Sequence, residues 1–588
     1  MIKRFISLCF FLSITLDSNS QTLEDVFRYS SFYNEGTARF NSLGGAFGAL
    51  GGDLSAISVN PASSTIFNDS EFGVTLNYKN LKISNRLNNN KTSSKNDFFS
   101  YGGAGVVLVY ENRKSKFSVA YNNHTLGDFD SSFYVSGKND NGIDNYFLYY
   151  ADGIPSSDLL IYDDETSQSV YTSLGDNFGF ADQQAFLGYQ SFIINDSGDE
   201  NNNYVSNALY NNLDQNLDIF RTGKHFKHSI NLGFSYNNHV FTGININIHE
   251  TLFEETKVFE EFGYANSSNV QRVFFKEDLL AYGTGFSFQL GSIIKIKQLR
   301  VGLSYSTPTI LNIEEENSQI IETDIIEKDG LTTYRIDPNT INVYDEYELK
   351  LPSKSLFSLA YIFGTRGLLS FDYEITKFNN TKFDDNNGND IYLNSLNYSI
   401  NKNVAGMSES IRFGGEYRIK NLNLRAGYFS YKGPDLDLKN KIRGLSAGIG
   451  INYGYLDVDI GITKYNDFVK NRLYTRGLTN KYDIDTYVSA MNRNYQLMEP
   501  ILNEFPDIML QLEGNADLRG TNDYNKALAE RRWRTPSRVL VTLYTVQADI
   551  PVTGVSRGEE CQLERKQGES EEAWWIRNRR TDYMFRLR

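Results

Sequence analysis

The sequence predicts an all-β transmembrane barrel of about 14 antiparallel strands. Strand-length segments with an apolar residue at every second position recur between residues 71 and 497. The connections between these segments alternate between short and long, and no run of about 18 or more apolar residues occurs that would form a membrane-spanning helix. The composition agrees, because 46 Gly, 40 Phe and 39 Tyr against 10 Pro suit long strands joined by tight turns.

The alternation is clear in the segment that begins at Ile411. Ile411, Phe413 and Tyr417 alternate there with Arg412 and Glu416. Because successive side chains of a strand point to opposite faces, one face of this strand is apolar and the other is charged. A water-soluble sandwich hides its apolar face inside, whereas a membrane barrel turns that face outward to lipid around a polar lumen. Alternation by itself leaves both architectures open.

The lengths of the connections decide between the two architectures. The predicted strands lie at residues 71–84, 99–112, 115–124, 226–238, 239–251, 276–294, 298–308, 354–364, 366–378, 409–420, 421–432, 441–453, 455–466 and 484–497. Short connections fall at residues 113–114, 237–238, 295–297, 364–366, 420 and 454, and long ones at 85–98, 125–225, 252–275, 309–353, 379–408, 433–440 and 467–483. Tight turns at one rim and longer loops at the other are typical of a transmembrane barrel, so the barrel is preferred.

The N-terminus has the pattern of an export signal. Lys3 and Arg4 precede an apolar stretch and a short polar exit, so residues 1–20 are predicted to be a cleaved signal peptide. Cys9 lies in that signal, which leaves Cys561 alone and allows no intramolecular disulfide in the mature chain. The formal net charge of -14 argues against a nucleic-acid partner, whose phosphates demand a basic surface.

The sequence carries no motif that predicts catalysis, a metal site or a cofactor. Neither a Gly-x-Ser-x-Gly nor a His-Glu-x-x-His element occurs, so an enzyme is not predicted. The glycine-rich residues 43–53 lack the Lys-Ser/Thr ending of a phosphate loop. His225 and His228 are three apart in a strand, so we expect them on opposite faces, where they cannot ligate one metal together.

Residues 36–39 (Gly-Thr-Ala-Arg), the glycine-rich residues 44–53 and residues 60–62 (Asn-Pro-Ala), followed by a predicted barrel, resemble the FadL/TodX outer-membrane transport family in the form common in Bacteroidetes. The resemblance implies an N-terminal hatch over residues 21–69 that plugs a barrel over residues 70–497. It also implies passive inward diffusion of hydrophobic small molecules such as long-chain fatty acids through a protein surrounded by outer-membrane lipid. In the hatch, the residues expected to fix the backbone are Gly44, Gly45, Asn60 and Pro61.

Residues 498–588 resemble the peptidoglycan-binding domain of the OmpA/Pal family, a small α/β periplasmic domain. The resemblance rests on a Gly-x-x-Asp-x-x-Gly turn at residues 514–520 and a Tyr-Asn-x-x-Leu-x-x-Arg-Arg pattern at residues 524–532. It implies that Asp517 and Arg532 grip the charged groups of diaminopimelate. Asn525 and Arg579 would support them. A short strand is expected at residues 508–513 and another at residues 583–587.

These features together predict an outer-membrane channel for hydrophobic small molecules that its C-terminal domain tethers to peptidoglycan. An even number of membrane crossings returns the chain to the periplasmic side, where such a domain can work. A non-transporting structural or secretion-partner barrel that anchors the outer membrane to the cell wall is the open alternative. A continuous path through the lumen favours transport, whereas a filled lumen with an apolar rim patch favours docking.

Overall fold

The computed structural model describes residues 22–30, 35–198, 203–384, 391–436, 441–454, 456–467, 508–515, 552–556 and 580–587. The predicted signal peptide at residues 1–20 and the predicted last barrel strand at residues 484–497 lie outside these ranges.

The helices lie in three parts of the described chain. The part of the chain before the first strand contains α1 (Leu23–Ser30), α2 (Ala38–Ser42), α3 (Leu54–Ile57) and a 3-10 helix (Pro61–Ile66). The longest connection contains α4 (Asp144–Ala151), a second 3-10 helix (Ser156–Leu159), α5 (Ser167–Phe178) and α6 (Phe180–Gln190), and a later connection contains α7 (Ile391–Asn403). Within the described ranges, no helix combines the length and the apolar character that crossing a membrane requires.

Strands make up most of the remaining described chain. They are β1 (Glu71–Leu87), β2 (Asn90–Glu111), β3 (Ser115–Asp128), β4 (Ser131–Asn139), β5 (Ile194–Asp196), β6 (Tyr204–Ser206), β7 (Leu213–Tyr236), β8 (Val240–Phe262), β9 (Val270–Ile296), β10 (Leu299–Ser306), β11 (Ile310–Glu327), β12 (Gly330–Ile336), β13 (Asn342–Lys350), β14 (Ser353–Ile362), β15 (Gly367–Lys377), β16 (Lys382–Asp384), β17 (Met407–Ile419), β18 (Leu422–Lys432), β19 (Lys441–Asn452), β20 (Asp457–Asn466), β21 (Ile508–Asn515), β22 (Val552–Ser556) and β23 (Arg580–Leu587).

One large antiparallel sheet contains β1 to β4 and β7 to β20. Strands that follow each other along the chain pair through tight turns, as β7 does with β8 and β8 with β9. Some strands continue one another after a short interruption, since β3 and β4 both pair with β7, and β10 and β11 both pair with β9. Every strand predicted between residues 71 and 466 is confirmed. Within the described residues, β1 pairs with β2 and β20 with β19, and no pairing joins β1 to β20.

The two faces of the sheet differ in chemistry and in burial. On β17, Phe413 and Tyr417 are 48% and 58% exposed, whereas Arg412 and Glu416 between them are 4% and 5% exposed. The charged face contacts the N-terminal segment, for example through an ion pair between Glu416 and Arg39. We therefore call the charged face the inner face and the apolar face the outer face. In this part of β17 the buried side chains are polar, and the exposed ones are apolar.

The hairpins at the end opposite the short turns are longer than the sequence analysis predicts. Residues 85–98 do not form a long connection, because β1 and β2 stay paired as far as Leu87 and Asn90. β7, β8 and β9 likewise extend well past their predicted ends. The backbone ladder needs no apolar face, so polar residues prolong these strands where the apolar alternation stops. Alternation of apolar residues therefore underestimates the strand lengths at this end.

The longest connection folds into a helical layer with its own apolar core. Thr166 caps the start of α5 with a capping box. Its side chain accepts from the Ser169 backbone N–H, and the Ser169 side chain accepts from the Thr166 backbone N–H. The layer packs against the ends of β7, β8, β9 and β11. Its fully buried members include Ile143, Tyr146, Phe147, Phe186, Leu187, Leu213, Ile219, Val270, Val273 and Ile321.

A three-stranded sheet lies in the described part of the C-terminal region. β21 is central, with β22 parallel to it on one side and β23 antiparallel on the other. The strands predicted at residues 508–513 and 583–587 are confirmed as β21 and β23. The described residues show this sheet as separate from the large one.

Candidate functional site

The N-terminal segment, residues 35–67, lies against the inner face and is held there by side chains of the sheet. Its backbone is largely irregular, so many of its carbonyl groups have no partner within the segment. Inner-face side chains donate to these carbonyls, as Asn122 does to Leu54 O at 3.0 Å. The other donor and acceptor pairs are Asn245 to Ile57 O at 2.8 Å, Gln289 to Val59 O at 2.9 Å, Asn231 to Pro61 O at 2.9 Å and Lys116 to Phe67 O at 2.8 Å.

The same inner-face amides also bond to one another across neighbouring strands. Asn231 donates to Asn245 at 2.6 Å, Asn245 donates to Gln289 at 3.1 Å, and Gln289 donates to Ser304 at 3.2 Å. This ladder crosses β7, β8, β9 and β10 under the N-terminal segment. Because each amide side chain has several hydrogen-bonding positions, it can serve the ladder and the segment together.

Asn60 is fully buried and forms hydrogen bonds to the N-terminal segment, to β9 and to the 3-10 helix that follows it. Its Nδ2 donates to Gly48 O at 2.7 Å within the segment and to Ser292 O at 3.1 Å on β9. Its Oδ1 accepts from Ala62 N at 3.1 Å and so caps the 3-10 helix, which Pro61 begins. Pro is suited to this first position because it has no N–H to satisfy there.

Gly44 and Gly45 form the tight turn that follows α2. Their φ angles are +64° and +76°, a left-handed conformation that favours glycine. Gly44 N donates to Ser446 Oγ at 3.1 Å, and Ser446 Oγ is also 3.1 Å from Ser42 O. This turn therefore lies directly on β19.

Small residues on the inner face let the N-terminal segment approach the sheet closely. A Cβ atom added to Gly302 would collide with the Gly48 backbone, and one added to Gly427 would collide with Gly44. A Cβ on Gly414 would lie 2.6 Å from Leu43 O. Comparable collisions with the segment arise at Gly233, Gly243, Gly291, Gly448 and Gly461. At these positions the sheet therefore has no space for a side chain of its own, because backbone or side-chain atoms of the N-terminal segment fill it.

A buried ion network fixes the start of the segment. Arg39 lies 3.3 Å from Glu416, which also bonds to Arg425 at 2.7 Å, and Arg425 reaches Asp459 at 2.5 Å. Arg39 additionally donates to Gly52 O at 2.7 Å and so holds two parts of the segment together.

Asp53 caps α3 within the same part of the segment. It accepts from Ser55 N at 2.9 Å and from Thr37 Oγ1 at 2.8 Å. Burial raises the pKa of the Asp53 carboxyl, while Arg39 and the hydrogen bond from Thr37 act in the opposite direction. Asp at this position is a preferred N-cap, so the sequence supplies both the helix start and the contact to Thr37.

A cavity of about 160 Å³ lies between the N-terminal segment and the inner face. Its polar lining includes His225, Lys227, His249, Lys354 and Glu374. Its apolar lining includes Tyr29, Phe40, Val59, Leu351 and Leu356. The cavity lining therefore combines charged, polar and apolar side chains.

Two of the polar cavity residues form a histidine pair. His225 Nε2 lies 3.1 Å from His249 Nδ1, and His249 Nε2 lies 2.9 Å from Ser287 Oγ. His228 instead contacts Tyr121 OH at 2.8 Å on the outer face, so the predicted opposite orientation of His225 and His228 is confirmed. The described residues contain no group of three or more His, Cys, Asp and Glu side chains arranged to hold a metal ion.

An apolar cluster adjoins the cavity and involves α1, α7 and the inner face. Tyr29 and Leu351 belong both to this cluster and to the cavity lining. The remaining buried members include Leu23, Val26, Phe129, Phe253, Leu311, Ile313, Tyr347, Leu349, Phe378, Phe383, Leu393, Leu396 and Ile400. The interior thus contains a continuous apolar region between the cavity and α7.

Of the two sets of predicted site residues, one lies in the described part of the chain and the other does not. The four predicted hatch residues all lie in the N-terminal segment. Gly44 and Gly45 form the turn on β19, whereas Asn60 and Pro61 lie beside β9. Asp517, Asn525, Arg532 and Arg579 lie outside the described residues. The sequence analysis did not predict the histidine pair, because it depends on the register of β7 with β8. It also did not predict the two cavity lysines, because Lys227 and Lys354 lie on β7 and β14, which are not paired neighbours. The polar alternation in β7 and β8 was the available signal, but it does not identify cross-strand neighbours.

Solved structures of other proteins are similar to this chain. No protein-family model matches the chain, and no curated protein matches it by sequence. The CymD monoaromatic hydrocarbon channel is 10% identical with a TM-score of 0.39, covering 74% of this chain and 94% of that chain. A Pseudomonas aeruginosa FadL homologue is 11% identical with a TM-score of 0.43, and the match covers 76% of this chain and 94% of that chain. The peptidoglycan-associated lipoprotein from Burkholderia pseudomallei is 30% identical with a TM-score of 0.14, covering 17% of this chain and 79% of that chain.

Adjacent glycines on β17 test the close contact between the N-terminal segment and the sheet. Gly414→Ala places a Cβ 2.6 Å from Leu43 O, so we expect a loss of about 1–3 kcal/mol in the free energy of unfolding. In Gly415→Ala, the matched control, the added Cβ meets the flexible end of Leu369 at 3.1 Å and the unfolding free energy stays the same or rises. Urea titration followed by circular dichroism measures both. Equal stability of the two variants would contradict the contact.

Proposed function

We propose that the chain is an outer-membrane channel for the passive uptake of hydrophobic small molecules such as long-chain fatty acids, and that its C-terminal domain tethers it to peptidoglycan. In this proposal the large sheet spans the membrane as a barrel. The N-terminal segment is its hatch, and residues 484–497 supply the last strand.

The observation that carries the proposal is the inverted chemistry of the sheet. Outer-face side chains that are well exposed include Phe99 at 83%, Ile460 at 73% and Leu290 at 57%. Apolar surface of this extent is unfavourable in water, at roughly 25 cal/mol per Å². It is favourable in lipid, where a barrel also satisfies its backbone hydrogen bonds between strands. Exposed tyrosines near the short turns fit the membrane–water interface, and they include Tyr110, Tyr236, Tyr305 and Tyr361.

The interior supports transport of an apolar substrate. The apolar cluster around α1 and α7 offers a dry environment, and the neighbouring cavity lies next to the hatch. Asn60 and Pro61 would fix the hatch backbone, while Gly44 and Gly45 would let it turn against the sheet. A substrate would pass by small displacements of the hatch and the two helices.

The topology supports the proposed tether. With residues 484–497 as the last strand, the number of crossings is even and the C-terminal domain lies in the periplasm. The sheet of β21, β22 and β23 is compatible with a small α/β domain there. Asp517 and Arg532 would bind the amine and carboxylate groups of diaminopimelate, with Asn525 and Arg579 in support.

Flux into liposomes tests the channel. Liposomes that contain the purified protein should take up a long-chain fatty acid faster than protein-free liposomes, and deletion of residues 498–588 should leave that rate unchanged because the tail is outside the proposed pore. Uptake is followed with a fatty-acid-sensing dye enclosed in the liposomes. A correctly inserted protein with no flux above the protein-free rate would contradict the channel and favour the non-transporting barrel.

Pull-down with isolated peptidoglycan tests the tether. Asp517→Ala and Arg532→Ala should each lose about 2–5 kcal/mol of binding free energy, because each leaves a charged group of the ligand unpaired. Lys526→Ala, which removes a neighbouring charge with no proposed role, should bind like the unaltered chain. Heat-modifiable migration on a gel controls for barrel folding. Undiminished binding by both variants would rule out the proposed site.

A further inference from the structure

The outer face of the β1–β2 hairpin carries like charges opposite each other. Lys82 lies opposite Lys95 in the pairing of β1 with β2. Nearer to the turn, Arg86 lies opposite Lys91, and all four side chains are exposed. Directly opposite residues have Cβ atoms about 4.5–5.5 Å apart, and like charges at that separation destabilise the pair. We call these four residues the basic ladder.

One carboxylate compensates the basic ladder in part. Asp97 lies 3.1 Å from Lys95. In the described parts of the chain, no carboxylate lies within ion-pair distance of Lys82, Arg86 or Lys91. Three of the four basic side chains therefore have no counter-charge.

Two other pairs of directly opposite charges on the outer face have opposite signs. Lys138 on β4 lies opposite Asp214 on β7, at 3.1 Å. Arg272 on β9 lies opposite Asp324 on β11, at 3.0 Å. The whole chain has a formal net charge of -14, so the basic ladder is a local exception on an acidic protein. Such a cluster weakens the hairpin that carries it, and it is suited to an anionic partner.

The basic ladder lies just beyond the apolar part of the outer face. Tyr78 is opposite Phe99, with ring centroids 5.2 Å apart, at the end of that part nearest the ladder. Between Phe99 and Tyr110, β2 covers about 25–30 Å at a rise of roughly 3.3 Å per residue and a tilt of about 40°, close to the height of the apolar band of a transmembrane barrel. By the same rise, Lys95 lies about 10 Å beyond Phe99, at the height expected for lipid headgroups.

We propose that the basic ladder binds the phosphate groups of an anionic lipid of the outer leaflet, whose acyl chains lie along the apolar outer face. Ammonium and guanidinium groups both form charge-assisted hydrogen bonds with phosphate oxygens. Ser84 and Ser93 lie opposite each other between the two basic pairs and add hydroxyl donors to the same surface. A lipid fits better than a free anion, because the exposed apolar face continues below the ladder. The inference rests on the proposed insertion of the sheet in the outer membrane and is independent of the substrate.

Native mass spectrometry of the full chain in uncharged maltoside micelles tests the surface, with diphosphorylated lipid A and the same lipid without its phosphates as probes. The diphosphorylated lipid should bind about tenfold or more tightly than the dephosphorylated one, because each basic side chain near the headgroup adds to the attraction. Lys82→Gln combined with Lys95→Gln should weaken binding of the diphosphorylated lipid about tenfold or more and leave binding of the dephosphorylated lipid unchanged.

The matched control removes two lysines that have carboxylate partners. Lys138 and Lys276 lie 3.1 Å and 2.6 Å from carboxylate oxygens. Lys138→Gln combined with Lys276→Gln changes the net charge by the same amount and should bind the diphosphorylated lipid like the unaltered chain. The melting temperature of Lys82→Gln combined with Lys95→Gln should equal or exceed that of the unaltered chain, because a pair of opposed like charges is removed.

A further variant tests the surface with the opposite sign. Asp97→Asn removes the carboxylate beside Lys95, so the ladder becomes more positive and the diphosphorylated lipid should bind more tightly. Four results would each overturn the proposal: equal binding of the two lipids, unchanged binding when Lys82 and Lys95 are replaced, an equal loss in the control, or inorganic phosphate binding as tightly as the diphosphorylated lipid.

The flux assay separates this proposal from the channel function. If the channel function holds and the lipid site does not, fatty-acid flux persists while the diphosphorylated lipid binds no better than the dephosphorylated one. If the lipid site holds and the channel does not, lipid binding depends on Lys82 and Lys95 while flux stays at the protein-free rate.

Discussion

The hydrogen bonds from inner-face side chains to backbone carbonyls of the N-terminal segment are the interaction on which the rest of the structure depends. A buried segment with little regular structure leaves its carbonyl groups without partners, and each unmet group costs about 1–3 kcal/mol. Asn122, Asn231, Asn245 and Gln289 satisfy these groups from the sheet. Those side chains must therefore lie on the inner face, and the register of the strands that carry them is constrained accordingly.

This constraint explains why the sheet has a polar inner face and an apolar outer face. The contact with the N-terminal segment favours polar or small residues at alternate positions of β3, β7, β8 and β9, although Phe241 and Ile293 pack on Ala62 as apolar contacts. The residues between them are then free to be apolar, and they are the ones that the proposed bilayer contacts. Close approach adds a further requirement, because positions such as Gly302 and Gly414 have no space for a Cβ. The charges of the cavity lie in the same polar surface.

Much of the fold could be predicted from the sequence, because period-two alternation and turn spacing are local properties. The strands around Phe413 and Ile460 lie where the pattern places them. The extended hairpin at residues 85–98 was missed because backbone pairing alone prolongs it. The pairing of His225 with His249 and the meeting of Lys227 with Lys354 at one cavity could not be predicted, since they depend on cross-strand register and on the path of the N-terminal segment.

The central claim is that the apolar outer face contacts lipid while the charged face lies inside. Spin labels placed singly along β17 of the full chain in lipid bilayers, with Cys561 replaced by serine, measure this by their relaxation with oxygen and with a water-soluble nickel complex. We expect high oxygen accessibility at residues 411, 413 and 417 and low accessibility to both reagents at residues 410, 412 and 416. Strong nickel accessibility at residues 413 and 417, or no alternation along the strand, would contradict it.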